Sequence, residues 1–345
     1  MQNLIDKPIV GQSRKELEDA LVSINEKSFR GRQIFDWIYK KQIYDFTKMS
    51  DLPSHLREKL KSKKIHPLNL IKGKNSSTKK TKKFLFQLGT GEQVESVLME
   101  HGDRNTICLS TQVGCAVDCG FCATAKMGFI KNLTVGEIVD QFIQLRQISN
   151  KKITNVVFMG MGEPFLNYRN TISAAELLNN SNGINMAAWR ITISTSGIIN
   201  KINQFTEEKQ PYKLAISLNG ISQSQRLKTM PITKNQTFSN LLIAAKNYAY
   251  NSRKKVTFEY VLLDGINDQP SDGRELMRIL NNTNCKLNVI PYNEINGEYK
   301  RPSETTINNF LDSLKNAMFP VTVRWSKGQD IDAGCGQLVT AIGKI

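Results

Sequence analysis

The segment Cys115-Ala116-Val117-Asp118-Cys119-Gly120-Phe121-Cys122 constrains this chain more than any other stretch. Its three cysteines are spaced C-x3-C-x2-C, so one short loop can turn all three sulfurs toward a common region. Gly114 and Gly120 permit the tight backbone that such a loop needs. Three thiolates leave one corner of a four-cornered site unfilled. Structural zinc is held by four protein ligands in a closed tetrahedron. A [4Fe-4S] cluster takes cysteine thiolates and, with three of them, keeps one iron open. Phe121 fits an apolar cover beside such a cluster. Zinc stays open as a reading, and it asks for a fourth ligand, for which His101 is the near candidate.

At 345 residues the chain suits one medium domain with an appendage, or two domains. Its 40% apolar content supports an ordinary core. A formal net charge of +16 favours polyanionic partners, nucleic acid above all. No run has the length of a membrane span and no signal peptide is read at Met1, so the expectation is a cytoplasmic protein without a membrane partner. Six cysteines, three of them clustered, suit a reducing compartment.

Residues 1–90 read as a helical, basic RNA-binding accessory domain with its linker, ahead of a catalytic domain at 91–345. Leu17, Leu21 and Ile24 fall on one helical face, and Ser13 with Glu16 makes a capping-box pattern. A second helix starts at Phe29. Phe35 and Ile38 or Tyr39 read as its core, because aromatic residues at helical spacing are usually packing. Asp51-Leu52-Pro53 opens a third helix carrying Leu56 and Leu60. Lys61, Lys63, Lys64, Lys72, Lys74, Lys79, Lys80, Lys82 and Lys83 then read as a solvated, positive loop suited to RNA phosphates.

Two strands at 84–88 and 95–99 turn at Gly89-Thr90-Gly91. Strands at 106–110, 155–159, 190–194, 213–218, 257–263 and 286–290 follow, and helix-length segments lie between them. Their apolar runs suit parallel strands buried on both faces. Six repeated βα units predict an α/β fold with an open or partial barrel. Such an array builds its site from loops at the strand C-terminal ends. The cysteine loop follows the first strand, and Met159-Gly160-Met161-Gly162-Glu163-Pro164 follows the second. Ser194-Thr195-Ser196-Gly197, Ser217-Leu218-Asn219 and Pro291-Tyr292-Asn293 end later strands.

Gly160 and Gly162 let backbone approach a ligand, and Glu163 can accept a hydrogen bond from an ammonium group. Ser194, Ser217 and Asn293 offer hydroxyl and amide partners, although each alone is more often an ordinary strand-end residue. Cys108 lies on the first strand, where a free cysteine is usually buried packing. Cys335 lies between two glycines in Asp330-Ile331-Asp332-Ala333-Gly334-Cys335-Gly336-Gln337, which suggests a mobile loop able to reach the site. Cys285 reads as structural.

The triad spacing resembles the signature of the radical S-adenosylmethionine (radical SAM) enzymes. Taken with further motifs from about Phe29 to Leu338, the chain resembles the radical SAM RNA adenine-C2 methyltransferases, the RlmN type. Those motifs include Gln112-Val113-Gly114-Cys115, Gly160-Met161-Gly162-Glu163-Pro164, Glu259-Tyr260-Val261-Leu262-Leu263 and Asp330 to Leu338. The resemblance implies a partial (β/α)6 barrel, a [4Fe-4S] cluster on Cys115, Cys119 and Cys122, and two SAM per turnover. It implies SAM contacts from Gly162, Glu163, Ser194, Ser217, Leu218, Asn219 and Asn293. It implies that Cys335 is methylated at sulfur and passes the carbon to adenine, and that Cys108 then attacks the Cys335 sulfur, leaving a disulfide for cellular thiols to reduce. Glu95 matches the family's proton acceptor, although it otherwise reads as a strand-face carboxylate. The implied targets are an adenine of the peptidyl-transferase centre in 23S rRNA and the adenine 3′ of the anticodon in some tRNAs. A cellular electron donor is implied, and a monomer is expected because one chain carries all the cysteines.

Two positions depart from the family pattern: Asn219 where His is common, and Gly334 where Ala is common. The sister family that methylates adenine carbon 8 shares the cysteines, but Pro164 favours the carbon-2 type. A zinc-containing RNA-binding protein without catalysis is the alternative from another class.

Overall fold

The computed structural model describes residues 7–340. Its N-terminal unit is built from α1 (Arg14–Val22), α2 (Phe29–Phe35) and α3 (Ser54–Leu60). Glu16 N donates to Ser13 Oγ at 3.2 Å and Ser13 N to Glu16 Oε2 at 2.7 Å, so α1 opens with the expected capping box. Beyond α2 a π-helical turn over Asp36–Lys40 buries Ile38 and Tyr39. The aromatic residues of this stretch are core, as their spacing implied.

The lysine-rich stretch corrects the sequence reading. It is no loop: it contains β1 (Leu68–Asn75) and β2 (Thr81–Leu88), which pair antiparallel with each other. In β1 only Leu68 is buried, so no alternation of apolar residues betrays the strand. It forms one edge of the sheet, where exposed lysines block further pairing. β2 pairs with β3 (Gln93–His101), and β3 with β4 (Arg104–Cys108), all antiparallel. Sheet pairing therefore runs straight across position 90.

After β4 the chain forms a small hairpin, β5 (Gln112–Gly114) and β6 (Phe129–Asn132), with the short helix α4 (Ala123–Lys126) between them. Helix α5 (Val135–Ile148) opens on the Thr134–Glu137 capping box. The repeat continues as β7 (Asn155–Phe158), α6 (Tyr168–Asn179), β8 (Ile191–Thr195), α7 (Ile199–Glu207) and β9 (Lys213–Ser217). Next come α8 (Gln223–Thr229), α9 (Phe238–Ser252), β10 (Val256–Leu262), α10 (Pro270–Leu280), β11 (Cys285–Pro291), α11 (Glu304–Ser313) and β12 (Val321–Val323).

From β4 onward every neighbouring pair is parallel, in the order β4-β7-β8-β9-β10-β11-β12. All six expected parallel strands are present, within a ten-stranded sheet. β12 adds a parallel strand that its three partly exposed residues did not announce. In β10 Phe258, Tyr260 and Leu262 have no exposed surface. Each such side chain stabilises the fold by roughly 1.5–3 kcal/mol. The helical unit is fastened to α5. His66 Nδ1 lies 2.6 Å from Asp140 Oδ1, and Gly11 (φ 100°) meets Gly136 so closely that a Cβ there would fall 2.2 Å from its Cα. Among the described residues no helix is long and apolar enough to cross a membrane.

Candidate active site

A cavity opens at the C-terminal ends of the parallel strands. Cys115, Cys119 and Cys122 line one side of it, with Phe121 beside them. The β5–β6 hairpin sets where their loop begins. Cys115 N donates to Gly128 O at 3.0 Å, and Gly114, at φ 70°, approaches that oxygen where a Cβ would stand 1.7 Å away. Gly120 N donates to Thr229 O at 3.0 Å, and its missing Cβ leaves room for the Tyr299 hydroxyl. Burial raises all three thiols. Cys115 reaches about 12, and Cys119 is raised further by its two neighbours. Such thiols stay protonated until a metal displaces the proton. The fourth ligand that zinc would ask for is not supplied by His101. Its Nδ1 lies 2.6 Å from Lys327 Nζ, and it is outside the cavity lining.

The loop after β7 supplies the next wall. Gly160 passes Ser110 and Leu109 so closely that a Cβ would meet Ser110 Oγ at 2.6 Å, and Gly162 adopts φ 96°. Glu163 is buried, and burial raises its carboxyl above the usual range. Its Oε2 accepts from Ser196 N at 2.6 Å and its Oε1 from Phe165 N at 2.9 Å, which joins the β7 and β8 loops. Ionised, it still has lone pairs for an ammonium group. Ser194, Ser217 and Asn219 line the cavity as expected. Leu218 does not. Its side chain is in the core, its N donates to Glu259 O and its O accepts from Arg226 Nε. Asn219 (φ 51°) accepts from Val261 N at 2.8 Å.

Asn293 lines the cavity with its amide already engaged. Nδ2 donates to Ser326 Oγ and to Cys335 O, and Oδ1 accepts from Gln329 Nε2. It therefore holds the Cys335 segment, which the sequence read as a mobile loop. Gly336 O also accepts from Ala123 N at 2.7 Å, and Leu338 O from Thr124 Oγ1 at 2.6 Å. These ties place Cys335 on the same cavity as the triad. Its exposed surface opens into that cavity. Cys108, on β4, is buried and pushed up to about 12 by burial and then by Cys335, while the Arg324 guanidinium acts the opposite way. Both are free thiols in this structure. Glu95, on β3, is not among the lining residues; it pairs with Lys83 Nζ at 3.1 Å.

Several site residues escaped the sequence reading. Glu259 Oε2, Ser196 Oγ and Tyr292 OH are buried beside the cavity without a hydrogen-bond partner. Orphaned buried polar atoms around one cavity are what a polar ligand satisfies on binding. All three sit within quoted motifs, but nothing local shows that their atoms are left unpaired. Arg226 is wholly buried. It donates to Leu218 O at 3.1 Å, to Thr233 Oγ1 at 2.6 Å and to Ser196 O, and it lies beside Cys119. Arg324 follows β12, the strand the sequence did not announce. The donor set of three soft thiols, with a carboxylate and orphaned polar atoms opposite, fits an iron–sulfur cluster and a zwitterionic ligand.

Comparison with known proteins agrees with that chemistry. Residues 7–65 match the family described as the ribosomal RNA large subunit methyltransferase N-terminal domain, and residues 109–275 match the radical SAM superfamily. The chain is 38% identical over 339 residues to the probable dual-specificity RNA methyltransferase RlmN of Symbiobacterium thermophilum, covering 96% of this chain and 91% of the relative. It is 42% identical to the RlmN relative from a Thermotoga species, covering 98% and 97%. The crystal structure of a radical SAM methyltransferase from Sphaerobacter thermophilus superposes with a TM-score of 0.92 at 39% identity, covering 96% of this chain and 98% of that one.

Proposed function

The chain belongs to the RlmN family of radical SAM RNA methyltransferases, and from that membership we propose that it methylates carbon 2 of an adenine in 23S rRNA and of the adenine 3′ of the anticodon in some tRNAs. The observation that carries this reading is the placement of Cys335 on the same cavity as the cysteine triad, with Cys108 behind it.

Cys115, Cys119 and Cys122 would hold the [4Fe-4S] cluster. When bound, cluster and SAM supply the methyl group and one-electron, hydrogen-abstracting chemistry. Glu163 takes the ammonium group of SAM, and the backbone at Gly162 lets that group close in. Ser194, Ser217, Asn219 and the Leu218 backbone serve the rest of the ligand, while Asn293 holds the Cys335 segment against it. Cys335 loses its thiol proton, takes a methyl group on sulfur and delivers the carbon to adenine C2. The adduct gives up one electron, which the bound cluster would accept, and Glu95 takes the C2 proton. The Cys108 thiolate then attacks the Cys335 sulfur. The sulfur–carbon bond breaks, an S–S bond forms, and the electron pair with a proton stays on the new methyl group. Cellular thiols return both cysteines to the reduced state. The enzyme works as a cytoplasmic monomer with a cellular electron donor.

The test uses anaerobically reconstituted protein with SAM, dithionite and protein-free rRNA or tRNA, followed by mass spectrometry of the digested nucleosides. The expected product is 2-methyladenosine, absent with Cys335→Ala. Methylation at carbon 8, or 2-methyladenosine formed equally by Cys335→Ala, overturns the reading.

A further inference from the structure

Glu95 has no direct place on the cavity wall, yet both of its oxygens are occupied. Oε1 lies 3.1 Å from Lys83 Nζ, and Oε2 accepts a hydrogen bond from Val339 N at 3.1 Å. Lys83 and Glu95 are diagonal neighbours on β2 and β3, and their side chains keep only 14% and 9% of their surface. Lys83 Nζ also reaches Asp332 O at 3.3 Å. Asp332 and Val339 flank Cys335 on either side. The pair therefore touches the chain three residues before the methyl carrier and four residues after it.

A buried ion pair persists when further hydrogen bonds satisfy its remaining valences. Here the groups that do so belong to the Cys335 segment. The opposite side of the segment is held from α4 and from the end of β11, through Ala123, Thr124 and Asn293. We propose that Lys83 is a positioning residue: with Glu95 it latches the Cys335 segment at both ends. Held by Val339 N and Lys83 away from the cavity wall, the carboxylate reaches the C2 proton once Val339 N lets go of it. This rests on Cys335 as methyl carrier and Glu95 as proton acceptor. It adds an order of events: segment docked and base engaged while the methyl group is loaded, segment shifted and base released once adenine is bound.

The test is hydrogen–deuterium exchange on the reconstituted holoenzyme, with Lys83→Met and Lys83→Arg compared with the parent. Losing a charge-assisted contact should speed exchange across residues 332–339 about tenfold or more, and alkylation of Cys335 by iodoacetamide in step. The Arg variant should restore both, while residues 93–101 stay unchanged. Equal acceleration along β2 and β3 would mark the pair as a hairpin brace and overturn the proposal, as would unchanged exchange at 332–339. Neither readout uses RNA, so a failure of the latch is distinguishable from a failure of the carbon-2 assignment. In turnover, Lys83→Met should lower kcat with KM for RNA retained.

Discussion

Gly162 sits where an L side chain is strained, at φ 96°, and a Cβ there would lie 2.5 Å from Gln112 Cβ. Gly162→Ala should cost at least about 1–2 kcal/mol of stability in urea denaturation of the cluster-free protein. An unchanged denaturation midpoint would show that the loop adapts. The thiols differ in a similarly checkable way. Cys108 and Cys285 are buried, with pKa values raised to about 12 and about 11, whereas Cys335 opens to the cavity. Burial raises the Cys335 thiol as well, so access is what separates the three: iodoacetamide should label the exposed Cys335 well before the two buried cysteines. Labelling of Cys108 should rise about tenfold per pH unit below its pKa. The residues readable from sequence were those whose type alone limits them: glycines in strand-end loops, a cysteine triad, a carboxylate after Gly-Met-Gly. Ser196, Glu259 and Tyr292 were not, because an orphaned atom is defined by neighbours that only the closed sheet brings near.

At the scale of elements, the parallel strands announced themselves through apolar runs buried on both faces, as in β10 and β11. β1 and β12 did not, one because nearly all of it is exposed, the other because it is three residues, none of them buried. Arg324 went unread with β12, since its relevance comes from the strand that aims it. The β5–β6 hairpin makes its own prediction. Gly114→Ala would drive a Cβ into Gly128 O and displace Cys115, so iron per protein after reconstitution should fall sharply. Full iron content in that variant would contradict the role given to the hairpin. Arg226 is the brace between the β8 and β9 loops. Replacing it with Met leaves Leu218 O, Ser196 O and Thr233 Oγ1 short of a donor. The expected loss is roughly 3 kcal/mol or more by chemical denaturation, from about 1–3 kcal/mol per stranded group.

Across the whole molecule, a net charge of +16 accompanies a site built at one end of a half-open sheet, with a basic helical unit docked on α5. Binding of RNA should be dominated by phosphate contacts. Affinity measured by filter binding should drop more than about tenfold between 50 and 200 mM salt. A flat salt dependence would remove the charge from the account. The composition pointed to a polyanion and the strand pattern to the end of the sheet where the cavity opens. Neither could say that the C-terminal segment folds back over the triad, because that contact spans more than two hundred residues of chain, from Thr124 to Leu338. That contact sets Cys335 beside the triad, and its role is tested most directly by peptide mass spectrometry of Cys335 after the reconstituted enzyme has been incubated with SAM and reductant. A single methyl group on the Cys335 peptide, passed on when RNA is added, is the predicted result. Methylated RNA produced while the Cys335 peptide never carries a methyl group would contradict it.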